Sequence, residues 1–385
     1  MTLDPVPTAG LEWWFLHGRI TGSAGTRLRF MVAFFLGRGR SVGPREGALM
    51  LTHVLDENSG QTYAKSFVTP EAIALQDEIA QQVVRQYVSG AMPGLRAMGL
   101  AQHRRDLRAL MQRVSWYQQP AKGPRLARAP FAASWDGMML GHDQTRNRLR
   151  MVLPQGDTGA IEADIPLPDT LMDVASEQLD ARFGPGFWYQ SAPRLPLTGR
   201  INSEAITGTV WLDRQWGDYD GWMVQTTTPP HAPKPKKRLL GWDWFGLSLE
   251  DGRDILLNRH FEAATGAQHA SFALLFDGPT PRALPAGFRV TPERVWRSKM
   301  TGASYPVESR IHLPDLGIEA HLTPVVDDQE LPFPGGTALW EGATHLHGTG
   351  PGGVALRGHG RSEFVGYGAV LSLKTRLKRR FMTGA

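Results

Sequence analysis

GWDWFGLSLEDGRDILLNRHF, residues 241–261, is the stretch whose reading decides the fold. Two runs rich in Leu, Ile, Trp and Phe flank Glu250-Asp251-Gly252-Arg253, and an Asp-Gly centre between such runs marks a β-hairpin. Side chains alternate faces along a strand. Asp243, Phe245, Leu247 and Leu249 therefore share one face, and Trp242, Trp244, Gly246 and Ser248 the other. A two-residue turn centred on Asp251-Gly252 predicts that Leu249 opposes Asp254, Leu247 opposes Leu256, Phe245 opposes Asn258 and Asp243 opposes His260. It also sets Trp244 against Arg259 as a cation–π pair. Opposed residues have Cβ atoms about 4.5–5.5 Å apart, so Asp243 and His260 form a candidate catalytic pair on a largely apolar face. Burial raises a carboxyl pKa and a charged imidazole lowers it. The sequence leaves both outcomes open, a neutral proton donor or an orienting carboxylate.

Upstream, WLDRQWGD (211–218) reads as another strand, with Arg214, Trp216 and Asp218 on one face and Trp211, Asp213 and Gln215 on the other. Taken alone, Asp213 and Arg214 read as a salt bridge or sheet-edge charge. Five of the 12 tryptophans lie between Val210 and Phe261, interleaved with carboxylates, and that density points to a lined cavity. Asp213 and Arg214 join the catalytic candidates, and Trp216, Trp242, Trp244 and Phe245 are candidate substrate-binding residues. Trp13 beside Glu12 in LEWW, and Trp340 beside Glu341 in LWEG, are Trp–carboxylate neighbours that could line a second pocket. His345 and His347 in HLHG, with His321 and His359, have metal-compatible side chains. A His-x-His strand pair without a third spaced ligand is more often structural, so no metal site is assigned.

Turn signals elsewhere recur about every 10–15 residues, the spacing of antiparallel barrels and sandwiches. LEWWFLHGRIT (11–21), RLRFMVAFFLG (27–37) and GALMLTHVLDENSGQTYAKSFV (47–68) read as strands. From Glu71 to about residue 118 the pattern turns helical, with Ile73, Ile79, Val83, Val84 and Tyr87 near a 3.6-residue period. The fold class expected is mainly β, two barrel-like halves with a helical insertion in the first. The division falls at Pro196, giving domains 1–196 and 197–385. The insertion could lid a cavity; packing against the barrel exterior is the plainer reading.

Composition narrows the function. The 385 residues carry 41% hydrophobic and 21% charged side chains, with 43 Gly and 28 Pro, a balance suited to short strands and many turns. No Cys is present, which removes disulfides and thiolate chemistry. The net charge of +5 is concentrated in PKPKKR (233–238) and KTRLKRR (374–380). No nucleic-acid-binding signature accompanies these runs, so nucleic acid is not an expected partner, while peripheral membrane contact through the basic tail is possible. No signal peptide and no apolar run of about 20 residues is seen, and the expected location is cytoplasmic. P-loop and H-E-x-x-H motifs are absent from the sequence.

LEWWF, GFWYQSAPRLPLTGRI, WLDRQWGD, GWDWFGLSLEDGRDILLNR, VWRSKMTGASYPVESRIHLP, DQEL, LWEGA and VGYG together resemble, in order and spacing, the lipocalin-like carotenoid 1,2-hydratase (hydroxyneurosporene synthase)/AttH family. The likeness spans nearly the whole chain apart from residues 71–130, and the WLD-x-x-W and WDWF segments are its most specific parts. The resemblance implies two lipocalin-like β-barrel domains with a pocket near their junction. It also implies hydration of an isoprenoid double bond, or a pericyclic cyclisation, without metal or redox cofactor. An acid on the WDWF strand maps onto Asp243, and the segment before it onto Asp213, Arg214 and Trp216. The helical insertion and the lack of a signal peptide depart from the pattern. The expected function is thus a cofactor-free hydratase or cyclase acting on a hydrophobic small molecule. A non-catalytic carrier of such a ligand is the alternative.

Overall fold

The computed structural model describes residues 2–39, 45–75, 123–155, 159–174, 187–217, 224–225, 238–262, 266–333 and 337–367. Every described strand pairing is antiparallel, and the strands form two sheets. The first contains β1 (Leu11–Gly22), β2 (Arg27–Gly39), β3 (Arg45–Asp56), β4 (Thr62–Val68), β5 (Arg125–Arg128), β6 (Phe131–Trp135), β7 (Met138–Asp143), β8 (Arg148–Pro154), β9 (Ala160–Pro166), β10 (Met172–Asp173), β11 (Phe187–Ile201) and β12 (Glu204–Gly217). Its order is β4-β3-β2-β1-β12-β11-β9-β8-β7-β6-β5, with β10 paired to β11.

The second sheet contains β13 (Val224–Gln225), β14 (Arg238–Leu249), β15 (Asp254–Glu262), β16 (Gln268–Phe276), β17 (Arg282–Ala283), β18 (Arg289–Arg297), β19 (Ser304–Leu313), β20 (Ile318–Pro324), β21 (Glu330–Phe333), β22 (Thr337–Thr349) and β23 (Ala355–Val365). Its order is β17-β16-β15-β14-β23-β22-β20-β19-β18, with β13 on β14 and β21 on β22. The two orders correspond. In each, the first long strand pairs on one side with its three successors and on the other with the last strand of that half. The mainly β, two-part architecture expected from the turn spacing is therefore present, as two curled half-barrels. The chain passes between the sheets after Gly217 and before Val224, whereas the sequence reading put the division at Pro196, which lies inside β11.

Each sheet buries one face inside its own half-barrel. In the first, the Trp14 ring stacks on Phe131 (4.3 Å between centroids) and Phe67 packs on Trp135 (5.4 Å). In the second, Trp340 stacks on Phe364 (5.2 Å) among Phe245, Leu247 and Tyr305. The outer faces of β1, β12, β14 and their neighbours meet in a third apolar cluster containing Phe15, Met31, Trp211, Trp244, Leu256 and Phe276. That seam explains why LEWWF and WDWF show no clean polar–apolar alternation: both faces of these strands are buried. Gly246 belongs to the seam for a steric reason. A Cβ there would collide with the Trp244 indole and crowd His17 Nε2.

Residues 70–75 are helical. Pro70 opens the turn, and Thr69 Oγ1 accepts from the Ala72 amide (3.2 Å) and the Ala48 amide (3.0 Å), a Thr cap with Pro at the first helical position. The rest of the expected helical insertion lies outside the described residues, as do Asp218, the basic tail and all of PKPKKR but its last residue. Among the described residues no helix is long and apolar enough to cross a membrane.

Candidate active site at the seam between the sheets

The hairpin at Gly252 differs from the sequence reading by one residue. The Gly252 amide donates to Leu249 O (3.2 Å), the Leu249 amide donates to Arg253 O (2.8 Å), and Gly252 has φ +98°. The turn therefore holds three residues, with Gly252 in the left-handed bulge position. Every partner moves by one. Asp243 opposes Arg259, Trp242 opposes His260 and Trp244 opposes Asn258, so the expected Asp243–His260 and Trp244–Arg259 pairs do not form.

Asp243 is fully buried on the interior face of the second half-barrel. Arg259 Nε donates to its Oδ2 (3.0 Å), a second guanidinium nitrogen contacts the same oxygen, and Tyr367 O–H donates to Oδ1 (2.8 Å). WDWF, LLNR and VGYG thus converge on one carboxylate. Burial raises its pKa above the ordinary 3.8, although the Arg259 charge and these hydrogen bonds pull the other way. All three donors are arranged for the ionised form.

Asp213 and Arg214 point to opposite sides of β12. Arg214 enters the first half-barrel and pairs with buried Glu12 (2.8 Å). It also donates to the carbonyls of Thr2 (2.9 Å) and Asp4 (2.7 Å), and its guanidinium lies over the Trp216 ring at 4.6 Å. Trp216 in turn stacks on Trp188. This group ties the N-terminal segment to the end of the first half-barrel.

Asp213 faces the seam. Its carboxylate accepts from Tyr189 O–H (2.5 Å), Ser191 O–H (2.6 Å) and Trp211 Nε1–H (2.8 Å). Tyr189 Oη accepts from Trp244 Nε1–H of the other sheet (3.1 Å). Burial pushes the Asp213 carboxyl from its ordinary 3.8 up to about 7, against the pull of its three donors and with a further push from the Glu363 charge.

Glu363 brings a second acid group to the same seam. It lies opposite Glu341 across β23 and β22, just as Asp213 lies opposite Ser191 across β12 and β11. The two glutamates are hydrogen-bonded to each other, and Trp242 Nε1–H donates to Glu363 (2.5 Å). Burial, then the neighbouring Glu363 charge, holds Glu341 well above the usual carboxylate range; burial also raises Glu363. Two carboxyls in one dry site cannot both ionise readily, so this pair holds a proton.

The seam therefore gathers Asp213, Glu341, Trp13, Trp242 and Trp244 from the candidates. It does not gather Asp243, Arg214, Phe245 or Trp340, which face the half-barrel interiors, nor Trp216, which lies against Arg214. His260 is buried beside Trp242 (6.3 Å between rings). Tyr189, Ser191, Glu363 and Tyr367 were not singled out from sequence, and Arg259 was expected against Trp244 rather than Asp243. Tyr189 and Ser191 do alternate with their neighbours in FWYQSAP, but their partner Asp213 sits on the next strand, and the contact to Trp244 crosses between sheets. His321 and His347 stack on one another (5.3 Å). Among the described residues no group of three or more His, Asp or Glu side chains could hold a metal ion.

Residues 176–367 match the family model described as AttH-like. The chain belongs to the AttH-like family. Among solved structures, a protein from Nitrosomonas europaea described as an AttH is 22% identical, with 95% of each chain covered and a TM-score of 0.64. Kievitone hydratase from Nectria haematococca is 14% identical, with 94% of this chain and 90% of that one covered and a TM-score of 0.59. At these identities the two likenesses speak for the fold. No curated protein matches.

Proposed function

We propose that this AttH-like protein is a hydratase-type enzyme that adds water across a C=C bond of an apolar, isoprenoid- or polyketide-like molecule, with Asp213 as its proton source. The observation that carries the reading is the Asp213 carboxyl, buried in the aromatic seam between the sheets and poised near neutrality. A general acid works best with a pKa near the working pH. Protonation of the alkene moves the Asp213 proton to carbon and leaves a carbocation beside indole faces, which attract cations. Water then adds to the cation, and its surplus proton returns to a seam carboxylate. The substrate gains one water and the protein is unchanged. The Glu341–Glu363 pair supplies a second proton store in the same layer.

Three observations support this over the rivals. The fold is shared with a protein named a hydratase. Aromatic side chains fill both half-barrel interiors, which speaks against a lipocalin-style carrier that holds its ligand inside a barrel. The acids in the seam favour protonation over a purely conformational cyclisation. Asp243, the acid implied by the family resemblance, is matched by Arg259 and Tyr367 as a carboxylate, and in this reading it holds structure.

The test is incubation of the protein with a panel of isoprenoids, prenylated phenols and polyenes in ¹⁸O-labelled water, followed by mass spectrometry. The expected product is one labelled water heavier than its substrate. Return of every compound unchanged, including any ligand that co-purifies, would sink the hydratase reading.

A further inference from the structure

Along the seam from Asp213 lies a narrow cleft with a free volume of about 20 Å³, room for one or two water-sized groups. Trp211, which donates to Asp213, forms part of its wall. Four arginines also line it, Arg19, Arg29, Arg194 and Arg361, beside His17, His359 and uncharged residues such as Thr209 and Ser248.

The charges do not balance. Arg29 is paired with Glu57, and Arg194 holds Asp254 through two hydrogen bonds of 3.0 Å each. Arg361 stands 3.8 Å from Glu341 Oε2, but that carboxyl shares a proton with Glu363. Arg19 has no ion pair among the described residues. The Glu341–Glu363 pair keeps one negative charge, so four guanidiniums face three carboxylate charges and Arg19 is the unmatched one. Arg361 is only 1% exposed, and its Nε, like His17 Nε2 and Arg19 Nε, is buried without a hydrogen-bond partner. A buried cation lacking a counter-charge is unfavourable, and unpartnered donors around a cavity mark a place for an acceptor. The histidines report the same field. Burial first, and then the surrounding guanidiniums, hold His359 down to about 3 and His17 well below its usual range. Neutral imidazoles leave the arginines as the cleft's charges.

We propose that this cleft binds a single carboxylate, the anionic end of the molecule whose apolar part lies in the aromatic seam. The planar guanidiniums of Arg19 and Arg361 match a carboxylate's two oxygens. The identity of that molecule rests on the proposed hydration; the binding of a carboxylate does not.

Thermal unfolding in acetate and in octanoate, against chloride at equal ionic strength, tests this with the full chain. Saturable stabilisation by acetate is expected, with octanoate binding at least about tenfold more tightly because its chain reaches the seam. Arg19→Gln, at a half-buried position, is expected to weaken both at least about tenfold without altering the melting temperature in chloride by more than a few degrees. Asp213→Asn is expected to bind both as wild type does, so loss of turnover and loss of carboxylate binding are read separately. Equal stabilisation by chloride, unchanged binding in Arg19→Gln, octanoate no tighter than acetate, or stabilisation by inorganic phosphate in place of acetate would each overturn the proposal.

Discussion

At Asp213 two effects oppose each other: removal from water favours the neutral acid, and three donors favour the carboxylate. Burial wins, and the folded-state value of about 7 lies above the ordinary 3.8. A carboxyl with a raised pKa contributes stability that is fully present below about pH 4 and is lost as pH rises through about 7. Urea unfolding across pH 4 to 8 should therefore show wild type losing stability relative to Asp213→Asn over that window, by up to about 4 kcal/mol. Parallel curves would remove the raised pKa. At Asp243 burial also raises the pKa, but Arg259 supplies a counter-charge that Asp213 lacks. Asp243→Asn strips the charge from its contacts with Arg259 and Tyr367 and should cost about 1–3 kcal/mol in the same measurement, with turnover kept within a few-fold. The sequence already marked Asp213, Asp243 and Glu341 by their tryptophan neighbours. It could not say which of them is held as a carboxylate, because Arg259 and Tyr367 reach Asp243 through register and sheet curvature.

The strands were legible because turn residues punctuate aromatic and β-branched runs. Their register was not. Asp251-Gly252 suits a two-residue turn, yet Gly252 takes the bulge position of a three-residue one, and that single residue moves Arg259 into the place expected for His260. A second irregularity works between sheets. β11 bulges between Ala192 and Leu195, and Arg194 adopts φ +57° there. The bulge aims Arg194 across the seam at buried Asp254 and at the carbonyls of Leu249 and Arg253. A left-handed residue other than Gly costs about 1–3 kcal/mol, and the inter-sheet pair offsets it. Arg194→Ala is expected to destabilise by about 1–3 kcal/mol. A double-mutant cycle with Asp254→Ala should recover much of that loss, since the second change removes the stranded carboxylate; simple additivity would show that the pair does not couple the sheets.

Seen whole, the molecule repeats one strand order twice and buries the matching faces against each other. Asp213 opposite Ser191 in one half and Glu363 opposite Glu341 in the other occupy equivalent places, so the proton-bearing groups meet where the repeats meet. Tryptophan-rich openings to each half hinted at this repeat, but contacts such as Tyr189 to Trp244 join positions far apart in sequence and on different sheets. Ring contacts of Trp211 with Trp244 and Phe276 across the seam should couple the two halves. Far-ultraviolet circular dichroism and tryptophan fluorescence are expected to report one coincident unfolding transition; two separated transitions would show that the halves fold independently. Trp244→Ala, which empties the middle of the seam, should cost about 3–5 kcal/mol.

The central claim is that the seam, through Asp213, performs the protonation. Initial rates of water addition by wild type, Asp213→Asn and Asp243→Asn, measured side by side on one accepted substrate, test it most directly. Asp213→Asn is predicted to fall by at least about 100-fold, the scale of a lost general acid, while Asp243→Asn stays near wild type. A folded Asp213→Asn protein that turns over at the wild-type rate, or an inactive but folded Asp243→Asn, would contradict it.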